Sequence, residues 1–89
     1  MAVVEFALAL TRHVPCAPQC VEAGTLRTAL DTALLAAPGL RTYVFDEQGN
    51  VRKHVAVFVN AQMIRDRAAL DVPLAGDDKV MVIQALTGG

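Results

Sequence analysis

The sequence contains no serine and no tryptophan, and it has only two cysteines, Cys16 and Cys20. Without serine, the chain cannot supply the seryl nucleophile of a Ser–His–Asp hydrolase. Two thiols are too few for the four cysteine ligands of a ferredoxin-type iron–sulfur cluster. They are also too few for the disulfide framework of a small secreted domain, so we expect both cysteines to be reduced.

The chain also has no large excess of positive or negative charge. Eight Lys and Arg stand against nine Asp and Glu, the formal net charge is −1, and the basic residues are scattered. This excludes the basic stripe of a nucleic-acid binder, so no nucleic-acid partner is predicted. No apolar run approaches the roughly 18 residues of a membrane span, and the apolar start, interrupted by Glu5, lacks the basic segment of a signal peptide. We therefore predict a cytoplasmic protein with no membrane partner.

The length of 89 residues fits one small domain. Neither a repeat nor a linker divides the chain, so we predict a domain over residues 1–86 and a flexible tail over 87–89. Hydrophobic residues make up 54% of the chain, above the usual proportion of about 45–50%. Some of this excess is expected on the surface as a contact face.

The first half predicts two strands and a helix. Residues 2–10 alternate with period two, which is typical of a strand. Its predicted core side carries Val4, Phe6, Leu8 and Leu10. Residues 20–23 form a short return strand. Thr25 is placed to cap a helix whose apolar residues recur at helical spacing as far as Ala37, before Pro38 and Gly39 end it.

The second half predicts mainly strands and turns. Residues 40–45 are expected to be irregular or briefly extended, and 67–70 to make one helical turn. Strands are predicted over 54–60, 63–64 and 79–85, with turns at 46–50, 60–62 and 75–78. This order predicts an α+β fold, a mixed sheet of about four to five strands packed on one main helix.

The last residues of the sequence suggest a reactive C-terminal tail. Leu86-Thr87-Gly88-Gly89 directly follow the last predicted strand. Because glycine has no Cβ, such a segment can extend through a narrow tunnel into another protein's active site. Once activated by adenylylation, the Gly89 carboxylate can be converted to a thiocarboxylate. The tail residues Thr87, Gly88 and Gly89 are therefore the predicted site.

The sequence resembles the ThiS/MoaD family of ubiquitin-like sulfur carriers. The resemblance is carried by HVAVFVNAQMI and DVPLAGDDKVMVIQALTGG within residues 54–89. In the family, a strand ends in Val-Asn, here Val59-Asn60, and a Pro-Leu, here Pro73-Leu74, precedes a Gly-Asp turn. An apolar strand and Gly-Gly follow. The N-terminal half agrees in layout only.

The resemblance implies a β-grasp fold and a carrier without catalytic residues or a bound cofactor. It implies that a ubiquitin-activating-like adenylyltransferase uses ATP in its own active site to adenylylate Gly89. A sulfur-accepting synthase subunit would then receive the sulfur. Residues 40–53 are longer than in the shortest thiamine-type carriers, which favours a molybdopterin-type or cysteine-type pathway. The family's frequent proline before the tail is replaced here by Gln84-Ala85.

The resemblance also implies a docking face. If Val57, Val82 and their alternating neighbours pack on the helix, Phe58, Met81 and Ile83 point away from it. Family members dock on their partner enzymes through this kind of surface near the tail. We therefore predict Phe58, Met81 and Ile83 as partner-docking residues.

Other functions stay open. His13, Cys16 and Cys20 could supply three metal ligands, but the C-x3-C spacing is not a zinc signature, and no metal is predicted. The main alternative is a ubiquitin-like modifier joined through Gly89 to lysines of target proteins. A third is an interaction domain whose tail is inert.

Overall fold

One mixed sheet forms the frame of the protein, in a computed structural model that describes residues 1–84. Its strands are β1 (Ala2–Phe6), β2 (Gln19–Val21), β3 (Val55–Val59), β4 (Gln62–Met63) and β5 (Lys79–Gln84). They are arranged in the order β2-β1-β5-β3-β4. The β1–β5 pair is parallel and the other three pairs are antiparallel. The predicted α+β fold with a mixed sheet is confirmed.

The alternation along the strands separates two faces of the sheet. In β5, Val80 and Val82 are fully buried, whereas Met81 between them is half-buried. The buried face packs against the helical layer, so it is called the inner face, and the opposite side is called the outer face. The core is built only from apolar side chains: among residues 1–84 no polar or charged residue is buried. No helix in this described part is long and apolar enough to cross a membrane.

The main helix is α2 (Leu26–Leu34), and its start follows the sequence prediction. Thr25 and Thr28 form a reciprocal capping box, because each main-chain N–H donates to the other's hydroxyl at 3.2 Å. Such a cap satisfies N–H groups that a helix start leaves unpaired. The helix ends at Leu34, earlier than the predicted Ala37, and a 3₁₀ turn over Pro38–Leu40 follows.

The predicted strand over residues 2–10 is too long. β1 ends at Phe6, and a short helix, α1 (Leu8–Thr11), takes its place. In this turn Leu10 is fully buried, whereas Leu8 is 71% exposed. The prediction placed both leucines on the core side, because a strand sends alternate residues to one face. A helical turn separates them by 200° and folds only Leu10 over the end of the core.

Two other local predictions are wrong. Residues 40–45 are mostly helical, through the 3₁₀ turn and α3 (Arg41–Val44), because Leu40 and Val44 reach the core one turn apart. Residues 67–70 are not helical. There, the Asp66 carboxylate accepts the main-chain N–H of Leu70 at 2.9 Å, and Leu70 takes a left-handed conformation with φ of 53°. A side chain that binds nearby main-chain N–H groups competes with helix formation.

Candidate functional site

The central strand β5 leads to the predicted tail. It lies between β1 and β3, and its residue Gln84 pairs with Val55 of β3. Thr87, Gly88 and Gly89, with the predicted domain boundary after residue 86, lie outside the described residues. The end of the sheet at Gln84 is called the exit end, and the end at Lys79, where β5 begins, is called the far end. The fold therefore fixes the point from which residues 85–89 continue.

The distance that those residues can cover is bounded by chain geometry. An extended chain advances by at most about 3.3–3.6 Å per residue, so residues 85–89 can span at most about 18 Å. A second protein that acts on Gly89 must therefore bring its active site within this distance of Gln84. Its surface then has to approach the exit end.

The three predicted docking residues lie on the outer face and are half-buried. They belong to two different rows across the sheet. Met81 pairs with Phe58, which in turn pairs with Met63 of β4. Ile83 pairs with Ala56, one row closer to the exit end. The structure thus places all three on one face, Phe58 and Met81 as a direct pair and Ile83 in the next row, while their docking role stays a prediction.

A shallow pocket of about 280 Å³ adjoins the Met81–Phe58 row. It is lined by Phe58, Asn60, Ala61, Lys79 and Met81. Lys79 is at the first position of β5, so this pocket opens towards the far end of the outer face. Met63, in the same row as Phe58, is 51% exposed. The largest side chains of the outer face are therefore not those nearest to the tail.

Asn60, part of the family motif, closes the far end of the sheet. Its amide nitrogen donates to Asp78 at 2.7 Å, and its amide oxygen accepts the Lys79 main-chain N–H at 2.9 Å. The Asp78 carboxylate also accepts the Ala75 N–H at 2.8 Å. This last bond and the one from Asn60 favour the ionised carboxylate and hold the pKa of Asp78 below its ordinary value. These motif residues join the β3–β4 hairpin to the turn before β5, so their role is structural.

A second cluster, centred on two arginines, secures the long connections. The Arg67 guanidinium donates to the main-chain oxygens of Arg52 and Val55, at 2.7 Å each. The Arg27 guanidinium donates to Gly49 O at 2.9 Å and to Ala68 O, and lies over the Phe45 ring. Sequence reasoning missed both arginines, because their acceptors are main-chain oxygens far away along the chain.

The Asp66 carboxylate organises the segment beside these arginines. It accepts main-chain N–H bonds from Ala68, Ala69 and Leu70 at 2.9–3.2 Å. Chiefly the bonds from Ala68 and Leu70 lower the pKa of Asp66. Because these donors favour the charged form, the connection is most stable with Asp66 ionised. The signal in the sequence was Asp66 shortly before Ala68 and Ala69, because an aspartate side chain often accepts hydrogen bonds from main-chain N–H groups that follow it.

The three candidate metal ligands are not brought together. The His13 ring stacks on Tyr43 with 4.7 Å between centroids and 6° between planes. Cys16 packs partly against the core, and this burial raises the pKa of its thiol, whereas Cys20 is exposed on β2. Within residues 1–84, no group of three His, Cys, Asp or Glu side chains is arranged to hold a metal ion. Both cysteines are free thiols.

Comparison with solved structures identifies the fold. SAMP1 from Haloferax volcanii matches with a TM-score of 0.80 and 24% identity, over 99% of this chain and 98% of that one. A chain in the Amycolatopsis orientalis BexX/CysO complex matches with a TM-score of 0.80 and 18% identity over 100% of both chains. CysO from Mycobacterium tuberculosis gives 0.78 and 19%, over 97% and 100%. At these identities the likeness establishes the ubiquitin-like β-grasp fold.

Comparison with sequences identifies the family. No curated protein matches the sequence significantly. The model of the ThiS family matches residues 16–89, which include β2 to β5 and the Gly88-Gly89 pair. This match takes in far more than half of the 89 residues. It confirms the resemblance noted from the motifs, and the chain belongs to the ThiS family of ubiquitin-like sulfur carrier proteins.

Proposed function

We propose that the chain is a sulfur carrier whose reactive group is the carboxylate of Gly89. The observation that carries this proposal is the family match, which continues through residue 89 and so includes Gly88 and Gly89. The position of β5 supports it, because the strand before this segment is held on both sides by β1 and β3. A fixed body and a narrow glycine segment suit delivery of a carboxylate into another protein.

The proposed chemistry takes place in a partner's active site. A ubiquitin-activating-like adenylyltransferase binds ATP, and the Gly89 carboxylate attacks the α-phosphorus and releases pyrophosphate. Hydrosulfide, or an equivalent sulfur donor, then attacks the acyl carbon and displaces AMP. The new carbon–sulfur bond leaves a C-terminal thiocarboxylate, a nucleophile that a sulfur-accepting synthase subunit can use. The carrier itself acts as a co-substrate and not as a catalyst.

The length of residues 40–53 supports a proposal for the pathway that receives the sulfur. Residues 40–53, which exceed those of the shortest thiamine-type carriers, form α3 and the turn that follows it. Phe45 and Val51 form an isolated bridge across this turn, and both are buried. The segment is thus an integral part of the domain. Its length favours a molybdopterin-type or cysteine-type pathway over thiamine synthesis.

Intact-mass spectrometry of the protein purified from its native cells tests the function. We expect a fraction of the chain to carry sulfur in place of one oxygen, with the exchange mapped to Gly89 in the C-terminal peptide. Alkylation should convert this fraction to a thioester, and mild alkaline hydrolysis should then release the alkyl thiol and regenerate the carboxylate. A C-terminal peptide that contains only oxygen, in cells that need the gene for growth, would show that the proposal is wrong.

If the chain is instead a protein modifier, the reaction begins with the same adenylylation but ends with Gly89 joined to another protein. This function predicts an isopeptide bond between Gly89 and a lysine of another protein, which leaves a diagnostic remnant on tryptic peptides of the target. The SAMP1 proteins, named as small archaeal modifiers, share the fold with this chain. A fold shared at this identity does not favour either outcome, so the two mass signatures decide between them.

A further inference from the structure

The end of β5 and the start of β3 lie side by side at the exit end. Because the two strands are antiparallel, Ile83 pairs with Ala56 and Gln84 pairs with Val55. The segment that carries Gly89 continues directly from Gln84. The stability of these last two rows therefore decides whether that segment begins at a fixed point.

We propose that Arg67 is a positioning residue for the reaction of Gly89, because its guanidinium holds the turn before β3 and thereby keeps the last two rows of β5 paired. This inference rests on the proposed function. It assigns Arg67 no contact with the partner or with the reacting atoms. Instead, Arg67 sets the length and the starting point of the segment that reaches the partner's active site.

The main-chain groups of Gln84 face β1 and not β3. Val82 O accepts the Ala7 N–H at 2.8 Å, so the main-chain groups of Val82 face the β1 side. Alternate residues of a strand direct these groups to the same side, so those of Gln84 also face β1 and those of Ile83 face β3. The Gln84–Val55 pair is therefore of the kind without main-chain hydrogen bonds. Val55 needs main-chain partners other than β5.

The Arg67 guanidinium supplies one of these partners. Val55 N–H donates to Arg52 O at 3.0 Å, and Val55 O accepts from Arg67 Nη1 at 2.7 Å. The same Nη1 donates to Arg52 O, also at 2.7 Å. One nitrogen thus joins the first and the last residue of the turn over 52–55. Hydrogen bonds from a charged donor are stronger than neutral ones, so the guanidinium is well suited to close this turn.

The edge of β3 that faces away from β5 shows why a side chain is needed here. Farther along this edge, the main-chain N–H of Ile64 donates to Val57 O at 2.8 Å, in continuation of β4. Val55 O is the next carbonyl on the same edge, because alternate residues face the same side. There the Arg67 side chain takes the place of a paired strand and extends the coverage of this edge to the first residue of β3.

The main chain around Arg67 is itself anchored to the turn. Arg67 O accepts the Val51 N–H at 2.8 Å, so the main chain and the side chain of Arg67 bind the same turn. The Asp66 carboxylate accepts the N–H groups of residues 68–70 and holds the residues that follow. Because the backbone is fixed on both sides of Arg67, ordering its guanidinium costs less conformational entropy.

Loss of the last two rows would lengthen the segment that reaches the partner. It would then comprise residues 83–89 in place of residues 85–89, seven residues instead of five. The effective concentration of a tethered group falls with about the −3/2 power of tether length, which lowers it about 1.7-fold here. A less defined starting direction adds to this loss, because catalysis depends on the placement of the reacting groups. We expect a total loss of about threefold in kcat, with KM unchanged.

Amide hydrogen exchange of the free chain, followed by NMR, measures the strand end directly. Arg67→Met removes the donors and keeps most of the apolar stem. It should accelerate exchange of the Ile83 and Ala56 N–H groups about tenfold, as expected for two lost hydrogen bonds from a charged donor. The Met81 N–H, one hydrogen-bonded row farther from the exit end, should exchange at its wild-type rate. Arg65→Met is the matched control, because Arg65 is exposed and is in no ion pair within residues 1–84.

The kinetic arm uses the adenylyltransferase itself, purified from native extract by its ability to attach AMP to the wild-type chain. Arg67→Met should lower the kcat of AMP attachment about threefold and leave the KM for the chain within about 1.5-fold. Arg65→Met should leave both constants unchanged. Arg67→Lys keeps the charge, but its compact ammonium does not replace the planar guanidinium. Its exchange rate at Ile83 and its kcat should both lie between those of the wild type and Arg67→Met.

The outcomes separate the inference from the function on which it rests. If no fraction of native extract attaches AMP to the wild-type chain, the proposed function fails, whatever the exchange rates are. If AMP is attached and Arg67→Met accelerates exchange at Ile83 without lowering kcat, the positioning role is wrong and the carrier function stands. A raised KM with unchanged exchange would overturn the inference in favour of a direct partner contact.

Two further results would contradict the positioning role of Arg67. Equal acceleration of exchange at Ile83 and Met81 in Arg67→Met would show that Arg67 stabilises the whole domain and not the strand end. Full recovery of kcat in Arg67→Lys, without recovery of slow exchange at Ile83, would assign the kinetic effect to charge alone. Agreement of kcat with the exchange rate across the three chains supports the inference.

Discussion

The two ends of the sheet are stabilised in different ways. At the far end, side chains make the connections: Asn60 bonds to Asp78 and to the main chain of Lys79. At the exit end, main-chain bonds contribute more, through the Ala7–Val82 bond and the Val55–Gln84 pair, together with the Arg67 side chain that donates to Val55 O, while Leu8 stays in solvent. Substitutions at the far end should therefore affect stability, whereas those at the exit end should affect reaction with partners.

Deletion of Gly89 should have the largest effect on function. The remaining carboxylate would belong to Gly88 and would end one residue, about 3.5 Å, short of its reaction position. We expect the thiocarboxylate to be lost completely in cells that express only this variant, as measured by intact mass. The melting temperature should not change, since the deletion removes none of the core residues within residues 1–84. A retained thiocarboxylate on Gly88 would contradict the prediction.

The two leucines of α1, one buried and one exposed, should differ in their effect on stability when each is replaced by alanine. Leu10→Ala should lower the free energy of unfolding by about 3 kcal/mol, because it leaves a cavity in the core. Leu8→Ala should change it by less than about 0.5 kcal/mol, as is usual for exposed sites. Urea denaturation followed by circular dichroism measures both. Equal losses for the two variants would show that the turn packs differently from the described structure.

Asn60→Ala should destabilise the far end. It removes both side-chain bonds and places alanine at a φ of 50°, where asparagine is better tolerated. We expect a loss of about 2 kcal/mol in urea denaturation. Gln62→Ala, an exposed neighbour in the same hairpin, serves as the control. The KM for the adenylylating partner should be the same for the folded fraction of each variant.

Ala61→Gly should stabilise the same end. Ala61 follows Asn60 in the β3–β4 turn and has a φ of 69°, so both central residues are left-handed. Asn-Gly is the preferred pair for this kind of hairpin turn. Glycine relieves the strain of the left-handed alanine, about 1 kcal/mol, although its unfolded state is more flexible. A raised urea midpoint with an unchanged slope supports this prediction, and a lowered midpoint contradicts it.

Acid should weaken the far end and the 65–70 connection first. The pKa values of Asp78 and Asp66 are lowered in the folded state. The largest cause for Asp78 is the hydrogen bond from Ala75 N–H, and the largest cause for Asp66 is the hydrogen bond from Ala68 N–H. Their stabilisation is present above the unfolded pKa of about 3.9 and is lost as the pH falls through the lower folded values. We expect stability to be level near neutrality and to decline below about pH 4. Asp66→Asn should lower stability at pH 7 and flatten this decline.

The sequence predicts the strands of the sheet better than the connections between them. β3 and β5 alternate clearly and were found with small errors at their ends, and Thr25 marks the start of α2; β1 was found but extended four residues too far, and α2 three residues too far. α1 was missed because ALAL fits both a strand and a helix, and its helical state depends on where Leu10 meets the core. Local sequence does not contain that tertiary information.

Only part of the candidate site could be predicted from the sequence, because the rest depends on which strands lie side by side. Gly88 and Gly89 are visible in the sequence, and so is the apolar character of Phe58, Met81 and Ile83. The exit end is not visible, because it joins residues near positions 8, 53 and 83 that only the strand order brings together. Likewise, Asp78 was read as a turn residue, although its bond to Asn60 connects two strands.

The position of β5 has a consequence for the synthesis of the protein. This strand is made after the other four, yet it occupies the centre of the sheet between β1 and β3. A nascent chain that has not yet produced residues 79–84 lacks the strand that joins the two halves of the sheet. Native folding therefore waits until translation of the domain is nearly complete. A chain terminated before residue 79 would be an unfolded substrate for proteases, so fold integrity selects for chains that contain β5.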